Sequence, residues 1–190
     1  MINIAIFVSG SGSNCENIIR HFKNHDDVRV ALVLSNRPDA YALVRAQTLG
    51  VPTEVLAKAD FADENTLCTL LKRYEIDFIV LAGFLLMVPT FLIKQYNRRM
   101  LNIHPALLPK YGGKGMYGRH IHEAVKNNRE TETGITIHYV SEVCDGGEIV
   151  FQATTPISSD DTPDDIAAAV HRLEHQYYPV IIEKTIRECF

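Results

Sequence analysis

Hydrophobic positions change their spacing along this chain in a regular way. Short uninterrupted runs rich in Val, Ile, Leu and Phe alternate, through the first hundred residues, with segments whose apolar positions recur every three to four residues. The first pattern suits strands buried on both faces, the second amphipathic helices, and their alternation predicts a parallel sheet with crossover helices. Strands are expected at 2–8, 28–34, 53–56, 78–82 and 100–104. Helices are expected from a cap at Ser13 or Asn14 to about residue 21, over 41–49 before Gly50 and Pro52, over 63–74, and briefly after Pro89.

The second half reads differently. Residues 105–118 hold two prolines and four glycines, so they predict a loop leaving the carboxyl end of a strand, the edge where open α/β sheets place ligands. A helix at 119–127 follows, then strands at 134–140 and 148–154 joined by a turn containing Asp145-Gly146-Gly147. Thr162 or Asp161, with Pro163, opens a terminal helix that runs to about 187 with a bend near Pro179. The expected fold class is α/β, a mostly parallel open sheet with a Rossmann-like N-terminal half and an antiparallel portion near the C-terminus. No linker or repeat divides residues 1–190, so one domain is expected.

Composition narrows the function. With 190 residues, 46% of them hydrophobic and 22% charged, the chain suits a soluble globular domain. A net charge of −4 offers nucleic acid or an anionic membrane no long-range attraction, so partners are expected to be small molecules, and any phosphate must be held by local geometry. The first residues carry no basic leader and no run approaches a membrane span, so a cytoplasmic protein is expected. Cys15, Cys68, Cys144 and Cys189 are scattered without a CxxC pair, which predicts free thiols.

Candidate chemistry concentrates around Asn102-Ile103-His104-Pro105. Asn102 and His104 lie two apart on a strand that Pro105 must end, so both project to one face. An amide beside an imidazole can hold a carbonyl oxygen as it becomes tetrahedral, and Asp145, from a separate turn, can orient the imidazole and keep it protonated or readily protonated. The same three residues also fit unrelated polar positions. His138, on the strand before Asp145, is a candidate supporting partner.

Three further motifs keep more than one reading each. Ser9-Gly10-Ser11-Gly12-Ser13-Asn14 joins a strand to a helix and can cradle a phosphate, or it is simply a tight turn; it lacks the third glycine and acidic residue of a dinucleotide site. His171-Arg172-Leu173-Glu174-His175 matches H-x-x-E-H, a zinc pattern with no third ligand well downstream; Glu174 holding sugar hydroxyls, or an exposed polar stripe, are the alternatives. Residues 83–88 offer an apolar surface for a flat ring, or ordinary core.

Taken together and in order, Ser9-Gly10-Ser11-Gly12-Ser13-Asn14, Leu81-Ala82-Gly83-Phe84, the run from Leu101-Asn102-Ile103-His104-Pro105 to Tyr111, Asp145-Gly146-Gly147 and Glu174-His175 resemble the phosphoribosylglycinamide formyltransferases, folate-dependent transformylases of purine synthesis. The resemblance covers nearly the whole chain. It implies a three-layer α/β sandwich of the formyltransferase type. It also implies formyl transfer from 10-formyltetrahydrofolate, without a metal, to the amine of N1-(5-phospho-D-ribosyl)glycinamide, by a monomer or weak homodimer. Asn102, His104 and Asp145 fall at the family's catalytic positions. Gly12, Ser13 and Asn14 fall at its phosphate turn, Glu174 at its ribose glutamate, and His171 in the same stretch. Leu85, Leu86, Met87, Val88, Asn102, Ser141, Glu142, Val143 and Cys144 match segments used around the folate.

Two departures stand out. Residues 85–88 lack the arginine of better-known bacterial members, and Glu64 replaces another; the loop 111–118 is also longer and richer in glycine. The rivals are a formyltetrahydrofolate deformylase, in which water replaces the amine, and a sugar-phosphate binding protein without turnover.

Overall fold

Strand β1 (Ile2–Val8) is buried almost throughout, because it is flanked on both sides by parallel neighbours, β2 (Val28–Ser35) and β4 (Phe78–Leu81). These relations come from a computed structural model that describes residues 1–190. The short β3 (Thr53–Val55) pairs in parallel with β2. With β5 (Met100–His104), β6 (Glu132–Tyr139) and β7 (Ile149–Pro156), the seven-stranded sheet runs in the order β3-β2-β1-β4-β5-β6-β7. Connections leave β1 toward β2 and β3 but return at β4 on its other side, so the chain reverses its direction of propagation between β1 and β4. Loops diverge at such a switch point and leave a crevice at the strands' carboxyl ends.

The chain forms two compact units, Met1–Leu101 with Ile182–Phe190, and Asn102–Ile181. In the first, the loops after β1 and β4 meet directly. The Ser9 N–H donates to the Gly83 carbonyl at 3.2 Å, and the Leu85 N–H donates to Ser9 Oγ at 2.9 Å. Below them Phe7, Phe61 and Phe84 form a ring cluster with centroids 5.0–5.7 Å apart. Phe61 comes from α3 (Lys58–Ala62), a five-residue helix that hydrophobic spacing does not predict, since one apolar anchor in so short a segment shows no period. Helix α4 (Glu64–Arg73) starts where Asp63 accepts from the Thr66 N–H at 2.8 Å, and buries Leu67, Leu70 and Leu71.

Helix α1 (Ser13–Phe22) buries Cys15, Ile18, Ile19 and Phe22. Neither Ser13 nor Asn14 caps it, contrary to expectation: Ser13 is already helical, and Gly12 occupies the cap position with φ 76°. Glycine is required there. A side chain on residue 12 would meet Cα and Cβ of Ala42, in α2 (Tyr41–Thr48), besides adopting an unfavourable backbone conformation.

The second unit contains the end of β5, α6 (Arg119–Asn127), β6, β7 and α7 (Pro163–Cys189) as far as residue 181. Strands β6 and β7 are antiparallel, with Gly134 opposite Thr154 and a register shift between Ile137 and His138. The expected hairpin is therefore present, with both strands longer at the end away from the turn. Helix α7 opens on a reciprocal cap: the Asp165 N–H donates to Thr162 Oγ1 at 3.2 Å, and the Thr162 N–H to Asp165 Oδ2 at 2.9 Å. It is one continuous helix through Pro179 to Cys189. No helix is long and apolar enough to cross a membrane.

Replacing Gly12 with alanine is expected to cost about 2–4 kcal/mol, from left-handed backbone strain and overpacking against Ala42. Urea unfolding measures it; an unchanged midpoint would contradict the close approach of α2.

Candidate active site

Strand alternation brings Asn102 and His104 to one face at the end of β5, within the second unit. His104 is buried, with 4% of its surface exposed, so each ring nitrogen needs a partner. Nε2 lies 2.7 Å from the Tyr111 carbonyl, and Nδ1 lies 3.6 Å from Asp145 Oδ2. A carbonyl only accepts, so Nε2 carries the hydrogen and neutral His104 turns the lone pair of Nδ1 toward Asp145.

His138 links the remaining two groups. Its Nδ1 lies 2.9 Å from the Tyr139 carbonyl and must donate there, which leaves Nε2 as the acceptor for Asn102 Nδ2 at 3.1 Å. The same Nε2 is 3.7 Å from Asp145 Oδ1. Asn102 therefore spends one amide hydrogen on His138 and has a second to offer. The Gly113 N–H donates to Asp145 Oδ2 at 2.9 Å. Asp145 itself has φ 53°, a left-handed conformation that aspartate tolerates better than most residues. Gly147 completes the turn, because a Cβ there would collide with the Tyr139 carbonyl.

Burial lowers the pKa of His104, and this outweighs the opposing pull of Asp145 and of the Tyr111 carbonyl. Burial thus favours the neutral imidazole while Asp145 favours the charged one, so the expectation that Asp145 keeps the ring protonated or readily protonated holds for the direction of its pull and not for the net shift. Burial works against the ionised form of Asp145, while His138, the Gly113 N–H and His104 shift its carboxyl below the usual range, the two rings doing so only when they carry a proton on the facing nitrogen. The pair is an anionic carboxylate beside a neutral ring.

The loop after β5 is fastened at both ends. Thr136 Oγ1 accepts from the Leu108 N–H at 3.0 Å and donates to the Ala106 carbonyl at 2.7 Å, while Gln152 Nε2 donates to the Leu108 carbonyl at 3.0 Å. Tyr111 Oη donates to Glu130 and accepts from Asn128, both at 2.8 Å. Thr136, Gln152 and the Tyr111 carbonyl were not foreseen; the only signal was that Thr136 precedes His138 by two on the same strand face. Through Tyr111 and Gly113 this loop holds both members of the His104–Asp145 pair.

In the first unit, the glycine-rich turn is fixed by α2. The Ala42 N–H donates to the Gly10 carbonyl at 3.1 Å and Arg45 Nε to the Ser11 carbonyl at 2.9 Å, while Arg45 also pairs with Glu16. Gly12, Ser13 and Asn14 therefore sit at the positive end of α1 in a braced turn. Of the next loop, Leu85 and Met87 are 55% and 58% exposed, Leu86 is half-buried and Val88 is buried.

In the second unit, Ser141 to Cys144 form the approach to Asp145. Ser141 Oγ donates to the Val143 carbonyl at 3.0 Å, and Val143 is 68% exposed. His171 and Glu174 lie on α7, where the His171 and His175 rings are 4.0 Å apart and burial lowers the pKa of His171. These two histidines and Glu174 do not form a set with mutually close ligand atoms; the one such trio is His21, His25 and Glu183. Cys15, at the start of α1, has its thiol pushed up to about 12 by burial, so helix position does not activate it.

Residues 2–182 match the profile of a family described as formyl transferase. The chain belongs to the formyl transferase family. It is 38% identical over 186 residues to the phosphoribosylglycinamide formyltransferase of Escherichia coli, covering 95% of this chain and 85% of that protein. It is 37% identical to the chloroplastic phosphoribosylglycinamide formyltransferase of Arabidopsis thaliana, covering 94% of this chain but 63% of that protein, and spans 61% of the Vigna unguiculata counterpart. Among solved structures, the phosphoribosylglycinamide formyltransferase of Bacillus halodurans matches with a TM-score of 0.87 at 33% identity, covering 99% of this chain and 97% of the other. That of Anaplasma phagocytophilum matches with a TM-score of 0.87 at 30% identity, covering 95% and 84%. The three-layer α/β fold of the formyl transferase family is thus the fold of this chain.

Asp145→Asn removes the charge that offsets burial, so the His104 pKa is expected to fall further, followed by its ring resonances in an NMR pH titration. A rise, or no change, would contradict the pairing. The sign for stability follows. Since folding depresses the His104 pKa, its neutral ring contributes stability above about pH 6.5 that is lost as pH falls toward and through the folded value.

Proposed function

We propose that this chain transfers the formyl group of 10-formyltetrahydrofolate to the amine of N1-(5-phospho-D-ribosyl)glycinamide, a step of purine nucleotide (IMP) biosynthesis. The observation that carries this reading is the convergence of Asn102, His138, Asp145 and His104 through contacts of 3.1, 3.7 and 3.6 Å. Family membership and the names of the similar proteins support the substrate pair.

The amine attacks the formyl carbon, and the carbonyl oxygen becomes an oxyanion. The second amide hydrogen of Asn102 donates to that oxygen, its direction fixed because the first is held by His138. His104 donates from Nε2 once the substrate displaces the Tyr111 carbonyl. Asp145, facing Nδ1, stabilises the imidazolium whenever the ring carries two protons. Collapse of the tetrahedral adduct breaks the bond from carbon to the folate nitrogen, and the proton lost by the amine ends on that nitrogen. The electrons remain paired and no covalent enzyme intermediate forms. Side chains supply every group, so no metal enters the proposal.

Gly12, Ser13 and Asn14 are assigned to the phosphate, Glu174 and His171 to the ribose side. Leu85, Leu86, Met87, Val88, Asn102, Ser141, Glu142, Val143 and Cys144 are assigned to the folate. The apolar 85–88 segment and Glu64 leave the folate's acidic tail without the arginines of other members. We take residues 1–190 to act as one formyltransferase domain, cytoplasmic, as a monomer or weak homodimer, on small-molecule substrates.

Purified protein is mixed with 10-formyltetrahydrofolate, with and without the ribonucleotide, and folate absorbance is followed. Deformylation that requires the ribonucleotide is expected. Deformylation without it would make the chain a hydrolase, and none would overturn the proposal. Asn102→Ala is expected to lower kcat by about 100- to 1,000-fold with an unchanged fold, the usual cost of one oxyanion donor; wild-type turnover would exclude that role.

A further inference from the structure

The first unit holds a cluster that the formyl-transfer reading does not use. Helix α1 ends in His21 and Phe22, the chain turns through residues 23 and 24 to His25, and both histidine rings face Glu183 near the end of α7. His21 Nε2 lies 2.8 Å from Glu183 Oε2, and His25 Nε2 lies 3.8 Å from the same oxygen. All three ligand atoms lie within 4.8 Å of one another. The rings are 5.3 Å apart and inclined by 31°, and Phe22 packs against both, at 4.8 and 5.1 Å.

We propose that His21, His25 and Glu183 bind one divalent cation of the zinc class, with water completing the coordination. Two imidazole nitrogens and one carboxylate oxygen are the donor set that borderline first-row cations prefer. Ligands at about 2.0–2.2 Å in a tetrahedral site lie roughly 3.3 Å apart, and the two measured separations from Oε2 bracket that value. A hydrogen-bonded cluster accounts for His21 alone, because 3.8 Å is too long for a bond from His25. One cation satisfies both nitrogens and the oxygen, releasing any proton they carry.

The surroundings are arranged as supporting partners of a metal site are. Arg187 Nη2 donates to Glu183 Oε1 at 2.6 Å, which leaves Oε2 for the ion. Asp27 Oδ1 lies 3.9 Å from His25 Nδ1, beyond hydrogen-bond distance but near enough for its charge to act on the ring. All three side chains are 21–27% exposed, so an ion has access from solvent. The bound ion would join the end of α1 to the last turns of α7, across 162 residues of sequence, and stabilise the fold.

Chelator-treated protein is titrated with Co²⁺, reading its visible d–d absorption, and Zn²⁺ is then used to displace it and to raise Tm. One equivalent is expected, with no sulfur charge-transfer band. His25→Gln and Glu183→Gln should each weaken binding at least tenfold and abolish the Zn²⁺-dependent rise in Tm. Asp27→Asn should weaken it about tenfold. The metal-free Tm of each variant reports folding, and His25→Gln, a loop position, decides the matter if Glu183→Gln does not fold. Absence of uptake at millimolar Co²⁺, uptake with a thiolate band, or uptake unchanged in His25→Gln would overturn the proposal.

Discussion

A half-buried carboxylate at residue 145 sets the constraint on which the rest of the candidate site depends. A buried charge is costly unless it is paired and hydrogen-bonded. Asp145 accepts from the Gly113 N–H, with His104 Nδ1 and His138 Nε2 at 3.6 and 3.7 Å from its two oxygens and able to pair with it whenever they carry a proton. The turn that presents it requires a left-handed residue followed by a glycine that the Tyr139 carbonyl can approach. The hairpin β6-β7, its turn and the end of β5 are thereby tied to one anion.

From that anion the tautomers follow in sequence. The Tyr139 carbonyl fixes the hydrogen of His138 on Nδ1, His138 fixes one hydrogen of Asn102, and the Tyr111 carbonyl fixes the hydrogen of His104 on Nε2. Burial lowers the pKa of His104 despite the opposing pull of Asp145. The loop carbonyl of Tyr111 occupies the place where an oxyanion would receive the Nε2 hydrogen. In the proposed mechanism that carbonyl gives up this one hydrogen bond to the substrate. In the other unit, the Ser9 hydroxyl accepts from Leu85 and donates to Asn36 at 2.6 Å, so the glycine turn and the apolar loop are tied to each other.

Much of this was readable in the chain. The strands at 2–8 and 100–104 lie where apolar runs and Pro105 place them, since a run buried on both faces has little freedom of register. Asn102, His104 and Asp145 were legible as types and spacing, and His138 as their companion. What escaped is what depends on tertiary contact. The cap at Gly12 follows from the approach of Ala42, thirty residues away, while Ser13 and Asn14 are ordinary cap formers that local chemistry favours. Helix α3 has too few apolar positions to announce itself, and its Phe61 matters only beside Phe7 and Phe84. Sequence shows the charged neighbour of His104 but not the depth of its burial, which sets the net direction of its pKa shift. The H-x-x-E-H motif points to α7 at 171–175, whereas the side chains with mutually close ligand atoms are His21, His25 and Glu183, which share no motif at all.

The hydrogen-bond chain itself is open to direct observation. In long-range ¹⁵N–¹H NMR spectra of the protein at neutral pH, coupling patterns distinguish the ring nitrogen that carries hydrogen from the one that does not. The arrangement requires His138 to be protonated on Nδ1 with an accepting Nε2, and His104 to be neutral with its hydrogen on Nε2. A hydrogen on Nε2 of His138, which would turn the Asn102 amide around and remove its donor from the reacting oxygen, would contradict it.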